Sequence, residues 1–241
     1  MVKALLVLIL AESALENVPK EIANHPAVKK HARRRGKKPH QTILDRSYHH
    51  RAMLNLPNSE KRGRPDIVHF SLLSALGTPL AKEKQLEIYV HTIADYVIYV
   101  NPEVRLPRNY LRFIGLMEQL FIHGKVPPKS QQSLLKVEKK TLKELMEEIN
   151  PEYTMIFTRK GKMQLLKKAI GKLADKAKAA AIVGGFPHGS FSENTLKLAD
   201  EAVCIDPETL EAWTVTARII YEYEILIGIP EKRIGKGVLN E

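Results

Sequence analysis

At 241 residues and 44% apolar composition the chain is long enough to bury a full core, which excludes a disordered polymer and suits one large α/β domain or two small ones. Lysine and arginine outnumber the acids 38 to 27, and the net charge of +11 favours a polyanionic partner: nucleic acid, an anionic membrane surface or an acidic protein. Cys204 is the lone cysteine, which excludes an internal disulfide and a cysteine-based zinc site and fits a reducing compartment.

Residues 4–10, ALLVLIL, form a continuous apolar run of the kind found in parallel strands covered on both faces, so the sheet is expected to start there. With Lys3 in front, the run also resembles a short signal peptide, but it lacks a small-residue cleavage site. No stretch approaches the roughly 20 apolar residues that cross a bilayer, so the expected location is the cytoplasm, with no membrane partner. A helical segment then leads to KKHARRRGKKPH, residues 29–40, which Gly36 and Pro39 mark as a basic loop; a solvated loop and an RNA contact fit it equally.

QTILDRSYHHRAM reads as a short strand entering a helix, and GRPDIVHFSLLSALG as a helix with Pro65 at its start, Asp66 in its first turn and Gly77 at its end. Residues 85–100 contain two β-rich runs and predict a hairpin. VRLPRNYLRF then opens a second helix at Pro107 that runs to Gly124, burying Leu111, Phe113, Ile114, Leu116, Met117 and Leu120 and leaving its arginines outside. Residues 126–132 are a connector, followed by a short amphipathic helix at TLKELMEEIN. YTMIF, AAAIVGG and EAVCI are strands separated by helices at KMQLLKKAIGKLADKA and SENTLKLAD, and ETLEAWTVTARIIYEYEILIG closes the unit. This alternation predicts a mostly parallel sheet, whose ligand loops lie beyond the carboxyl ends of the strands: TRKGK, GGFPHGSF and CIDPET.

The glycines of VGGFPHG, Gly184, Gly185 and Gly189, allow close approach of backbone to a ligand, but their spacing misses the dinucleotide fingerprint, and no Gly-Lys-Ser/Thr follows. Spacing favours an ordinary connector capped by Ser190 with Glu193, although Asp206 and Glu208 stand at the distance of a ribose-binding acid. His188 is either a ligand contact or a solvated turn residue. His49, His50, Asp45 and His69 lack metal-site spacing, and no metal is expected. Arg64 before Pro65, and Arg105, Arg108 and Arg112 around Pro107, gather cations at two helix starts, where dipole and guanidinium repel unless an anion arrives. That anion is either a phosphate or an internal carboxylate; Asp66 is placed to orient Arg64, a role that spacing favours over a general base.

LDRSYHHRAM, RPDIVHFSLLSALGTPL, VNPEVRLPRNYLRFIGLMEQL and IVGGFPHGSF, in that order over most of the chain, resemble the ribosome-biogenesis family of pseudouridine N(1)-specific methyltransferases acting on small-subunit ribosomal RNA. The resemblance implies an α/β SPOUT fold: a single domain over 1–241 with a mostly parallel sheet, a β-hairpin and helical insertion at 85–100, and a C-terminal trefoil knot within the cofactor-binding region 151–228. Pattern alone would have given an unknotted sheet. It further implies a homodimer and S-adenosyl-L-methionine held by Phe157 and Thr158, by Gly184 to Gly189, and by Cys204, Ile205, Asp206, Pro207, Glu208, Thr209 and Leu210, although CIDPET departs from the serine-containing loop of relatives. Arg64, Arg105, Arg108 and Arg112 become RNA contacts, with Asp66 orienting Arg64 and no side chain singled out as proton acceptor. The implied partners are small-subunit ribosomal RNA, a second copy, and ribosomal proteins or assembly factors. The rival readings are an RNA-binding assembly factor with secondary or lost methyl transfer, for which the arginines suffice, and an NAD-dependent enzyme.

Overall fold

The computed structural model describes residues 4–238; Lys3, on which the leader reading drew, lies outside the described residues. Eight strands join one sheet: β1 (Leu5–Ser13), β2 (Leu86–Thr92), β3 (Tyr96–Val100), β4 (Lys125–Val126), β5 (Leu135–Lys139), β6 (Tyr153–Met163), β7 (Lys178–Gly184) and β8 (Glu201–Cys204). Their spatial order is β4-β5-β3-β2-β1-β7-β6-β8. The five strands from β2 to β8 run parallel, and β3, β5 and β4 add an antiparallel edge. The hairpin expected at 85–100 is β2 and β3, and it extends the main sheet because β2 pairs with β1.

The helices are α1 (Pro26–Arg34), α2 (Arg46–Met53), α3 (Pro65–Leu76), α4 (Pro79–Lys82), α5 (Tyr110–His123), α6 (Leu142–Ile149), α7 (Leu166–Ala174), α8 (Glu193–Leu196), α9 (Ala212–Leu226) and α10 (Ile229–Val238). Successive side chains of a strand point to opposite faces, so β1 needs apolar residues throughout only if both faces are covered. They are: Leu6, Leu8 and Leu10 join the core under α3, α5, α7 and α9, while Val7, Ile9 and Ala11 join the core under α6. Each such fully buried leucine or isoleucine contributes about 1.5–3 kcal/mol.

Several elements differ from their sequence expectation for local reasons. The basic stretch at 29–40 is helical through Arg34. Pro26 starts α1, the His25 ring accepts the Ala27 N–H, Val28 enters a satellite core with Leu44, Ala52 and Met53, and Ala32 is buried. Gly36 and Pro39 end this helix rather than define a loop. The strand expected in QTILD is a single bridge, Asn17 to Ile43. The connector expected at 126–132 meets β4 only at Val126, and β5 beyond it carries no strand signal because LKVEK is charged and only partly buried. α8 is one turn, capped by Ser192, which accepts the Thr195 N–H at 3.2 Å, not by Ser190.

The second arginine helix also starts later than expected. Asn109 caps α5 by accepting the Arg112 N–H at 3.1 Å, so Pro107 lies in the extended approach and Arg105 and Arg108 precede the helix. Leu111, expected in the buried stripe, is exposed.

At the other end of the sheet, Phe157 and Lys162 of β6 both lie opposite Val203 of β8, so residues 158–161 bulge out of the ladder. Gly161 presses on β8 there: a Cβ at this position would stand 2.4 Å from Val203 N and 2.5 Å from its carbonyl carbon.

Candidate active site

The carboxyl ends of β6, β7 and β8 open on a cleft of about 490 Å³, within the range of small-molecule sites. Phe157 and Thr158 line it from β6, Gly184, Gly189 and His188 from the glycine loop, and Cys204, Ile205, Asp206, Glu208, Thr209 and Leu210 from the loop after β8. Of the cofactor residues expected from the sequence, Gly185 and Pro207 are outside this lining. Arg159 and Phe191 line it from the TRKGK and GGFPHGSF loops, and the walls outside the expected loops include Ile67 from α3, Val203, Glu211, Ala212 and Val215.

The loop after β8 is shaped by its own polar groups. Cys204 Sγ donates to Asp206 O at 3.1 Å, Asp206 Oδ1 accepts the Glu208 N–H at 3.0 Å, and Arg159 Nη1 donates to Thr209 Oγ1 at 2.7 Å. Gly185 lets the glycine loop meet the end of β1: a Cβ there would fall 2.1 Å from Ser13 Oγ, while its N–H donates to Ala11 O and its carbonyl accepts the Ala14 N–H.

Glu12, absent from the sequence reading, fastens this loop. Its backbone φ of 50° is uncommon for a residue with a side chain. Its carboxylate accepts Ser192 N–H at 2.8 Å and Lys61 Nζ at 2.6 Å, and its own N–H donates to His91 Nδ1 at 3.3 Å. Lys61 in turn stands 4.6 Å from the centre of the Phe186 ring. Burial opposes the Glu12 charge, but the hydrogen bonds from Lys61 and Ser192 outweigh it and hold the carboxyl below its usual value of 4.5. The pair thus contributes stability that is full above the ordinary value of 4.5 and is lost as the pH falls from there through the lowered native value. Glu12→Gln should therefore melt below wild type at neutral pH, with a gap that closes toward acid when both are scanned from roughly pH 3 to 8. A gap that stays constant with pH would assign the contact to packing rather than charge.

None of the four arginines is in the cleft lining; Arg64 stands beside it, and Arg105, Arg108 and Arg112 belong to a segment tied to α3. Arg64 occupies the N-cap of α3, with Pro65 as the first helical residue. Asp66 takes it in a fork, Arg64 Nε donating to Oδ1 at 2.8 Å and Nη2 to Oδ2 at 2.7 Å. Arg64 is also within electrostatic reach of Glu211, a cleft residue, and Ile67 one turn on lines the cleft. Asp66 and Glu211, after burial is discounted, hold the Arg64 guanidinium above its ordinary value, so it stays charged.

The second group is tied to α3 by His69, whose Nε2 donates to Pro107 O at 2.7 Å while its ring stacks on Phe113 at 4.2 Å. Burial lowers the His69 pKa, and the Pro107 carbonyl, which can only accept, makes Nε2 the donor. Tyr110, the first residue of α5, donates to Asp45 Oδ2 at 2.5 Å. Between these anchors Arg105, Arg108 and Arg112 are exposed, and none has a side-chain ion pair among the described residues.

The histidines considered for metal binding are apart. His49 is buried and accepts the Asp45 N–H at Nδ1, His50 is exposed, and His69 serves the arginine segment. No group of three potential ligands that could hold a metal occurs among the described residues.

Known proteins match this architecture over nearly its whole length. The family model described as EMG1/NEP1 methyltransferase matches residues 8–224. Ribosomal RNA small subunit methyltransferase Nep1 of Staphylothermus marinus is 49% identical over 222 residues, 92% of this chain and 96% of that protein. Its counterpart from Pyrococcus furiosus is 50% identical over 218 residues, 90% and 95% of the two chains. The crystal structure of Archaeoglobus fulgidus Nep1 bound to S-adenosylhomocysteine aligns with a TM-score of 0.80 at 38% identity, covering 92% of this chain and 98% of that one. On the extent of these matches, the chain belongs to the EMG1/NEP1 methyltransferase family.

Proposed function

We propose that the protein transfers the methyl group of S-adenosylmethionine to N1 of a pseudouridine in small-subunit ribosomal RNA, as a cytoplasmic homodimer. The observation that carries this reading is a cleft walled by the loops after β6, β7 and β8, with Arg64 in electrostatic reach of its Glu211 and a neighbouring segment, tied to α3, whose Arg105, Arg108 and Arg112 are exposed with no ion pair among the described residues. Membership in a family whose relatives are named as small-subunit ribosomal RNA methyltransferases supports it. So does a structural relative holding S-adenosylhomocysteine.

The lining fits the cofactor. Asp206, Glu208 and Glu211 suit a ligand carrying sulfonium and ammonium charges and oppose the pyrophosphate of a dinucleotide. Phe157, Gly184, Phe191 and Leu210 give the apolar and backbone surface that an adenosine needs. When bound, the cofactor supplies an electrophilic methyl group. In the transfer the sulfur–carbon bond breaks to leave S-adenosylhomocysteine, a nitrogen–carbon bond forms at N1, and the N1 proton passes to water. Arg108 and Arg112 hold the RNA backbone, and the base is turned out of its stem toward the cleft. Arg64, fixed by Asp66, offsets negative charge developing on the ring. With both oxygens engaged by Arg64, Asp66 is an orienting group. The register jump at Phe157 and Lys162 and the close passage at Gly161 support a chain threaded as a trefoil knot. Exposed Phe70, Tyr221 and Ile225 on α3 and α9 support a face covered by a second copy.

Labelled S-adenosylmethionine incubated with a stem-loop containing pseudouridine should transfer its methyl group, and the same stem-loop with uridine should receive none. Absence of cofactor binding would leave the assembly-factor reading in its place. Arg108→Ala and Arg112→Ala should each weaken RNA binding and flatten its log–log salt dependence by roughly 0.7–0.9 while sparing affinity for S-adenosylhomocysteine. Unchanged slopes would make those arginines structural.

A further inference from the structure

The charge of this chain is concentrated in one place. From Ile22 to Ser59 there are nine lysines and arginines against one acid, Asp45, so most of the net charge of +11 lies in these residues. Asp45 is occupied, accepting Ser47 N–H and Tyr110 OH. Three of the cations are used internally: Arg35 and Lys37 both reach the buried Glu118 of α5, at 2.6 and 2.7 Å, and Arg46 donates to Ser59 O. The other six, Lys29, Lys30, Arg33, Arg34, Lys38 and Arg51, are exposed, and none has an ion pair among the described residues.

Four of these form two i,i+4 pairs on one face of α1, Lys29 with Arg33 and Lys30 with Arg34, opposite the buried Val28 and Ala32. Like charges at that spacing repel, and the helix has no acid to relieve them. The helix dipole accounts for Arg33 and Arg34, which lie in the last turn, but Lys29 and Lys30 gain nothing from it.

The helix is docked beside the arginine-bearing end of α5. Tyr110 binds the N-cap of α2, Arg35 bonds Glu118, and a Cβ at Gly115, one turn after Arg112, would stand 3.9 Å from Arg35 Nη2. Beyond Pro26 in its first turn, the outward face of α1 is cationic, and the exposed Tyr48 ring beside it is stacked on His31, so it lacks the apolar centre that a protein interface would need.

We propose that the outward face of α1, with Lys38 and Arg51 of α2, is a second nucleic-acid surface that grips the phosphate backbone of an RNA helix flanking the target nucleotide. It rests on the ribosomal RNA reading above and extends it: the α5 arginines and the cleft engage the target, and α1 sets the length of RNA bound. The cations at this surface recognise backbone rather than base edges, so the grip is sequence-independent and salt-sensitive.

The test compares wild type with a variant carrying Lys29→Gln, Lys30→Gln, Arg33→Gln and Arg34→Gln, which keeps straight-chain helix formers, on two RNAs. One is a minimal stem-loop holding the pseudouridine; the other is an rRNA fragment extended by its flanking helix. For the extended RNA the variant should bind about tenfold or more weakly at physiological salt, with a salt slope flatter by roughly two or more. Its binding and methylation of the minimal stem-loop should match wild type. Equal affinity and slope on the extended RNA, in a variant with native melting, would overturn the proposal, as would an equal loss on both RNAs. The double variant Lys29→Gln, Lys30→Gln gives the same reading, with a smaller change in slope, should the fourfold variant unfold. The binding measurements need no turnover, so failure of wild type to methylate the stem-loop would strike the enzymatic reading alone.

Discussion

Gly161→Ala is expected to lower the melting temperature by about 6–12 °C or to prevent folding outright. The added Cβ would stand 2.4 Å from Val203 N and 2.6 Å from the Ala202 carbonyl carbon, backbone atoms that no rotamer change can move. Overpacking a core costs about 1–3 kcal/mol when side chains can adjust. Here β8 itself must shift, so about 3 kcal/mol is a lower bound, and in a chain of this size each kcal/mol is worth roughly 2–4 °C. The damage should reach the cleft as well, because Phe157 and Thr158 on one side of the pinch and Cys204 on the other all line it. Affinity for S-adenosylhomocysteine should therefore fall with stability. Gly171→Ala is the control: it lies in α7 with nothing within 4 Å of the added carbon, and it should gain up to about 1 kcal/mol from helix propensity alone. Calorimetry of the three proteins decides the matter. If Gly161→Ala melts with wild type, β6 does not confine β8 as described.

This contrast shows where sequence reading stops. The strands of the parallel sheet were legible because burial on both faces demands uninterrupted apolar runs, as in β1, and their loops were legible because ligands collect at carboxyl ends. The value of Gly161 was hidden, since a glycine in TRKGK looks like any turn residue until β8 is placed against it. Glu12 was hidden for the same reason: its partners, Lys61, His91 and Ser192, come from three distant parts of the chain. The continuation of α1 over residues 29–34 is not legible in the sequence because its apolar signal is only Val28 and Ala32 amid cations, and its support comes from Glu118, far along the chain. Conversely, the fork between Arg64 and Asp66 was readable because both ends sit two residues apart across a helix start fixed by Pro65. The helix-start argument for an anion at Pro107 does not hold. α5 has its own cap in Asn109, so Arg105 and Arg108 are not crowded on its free N–H groups; they are exposed, with no ion pair among the described residues.

The Arg64–Asp66 fork carries the largest predicted catalytic effect. Arg64→Ala should lower kcat/KM for a pseudouridine stem-loop roughly 100-fold, the loss typical of removing one donor aimed at developing charge. Arg64→Lys keeps the charge but loses the planar fork to Asp66 Oδ1 and Oδ2, and should recover no more than about a tenth of wild-type activity. Asp66→Ala leaves Arg64 charged but untethered, so its cost, roughly tenfold, should fall on kcat more than on the affinity for S-adenosylhomocysteine. The decisive measurement is the double variant. If Asp66 acts only through Arg64, then Arg64→Ala with Asp66→Ala is no slower than Arg64→Ala alone, because there is nothing left to orient. If Asp66 instead removes the proton from N1, its loss costs as much again in the Arg64→Ala background as in wild type. Two independent penalties that multiply would make Asp66 a base. A single shared penalty leaves the proton to another acceptor and makes this carboxylate the mount on which the guanidinium is aimed.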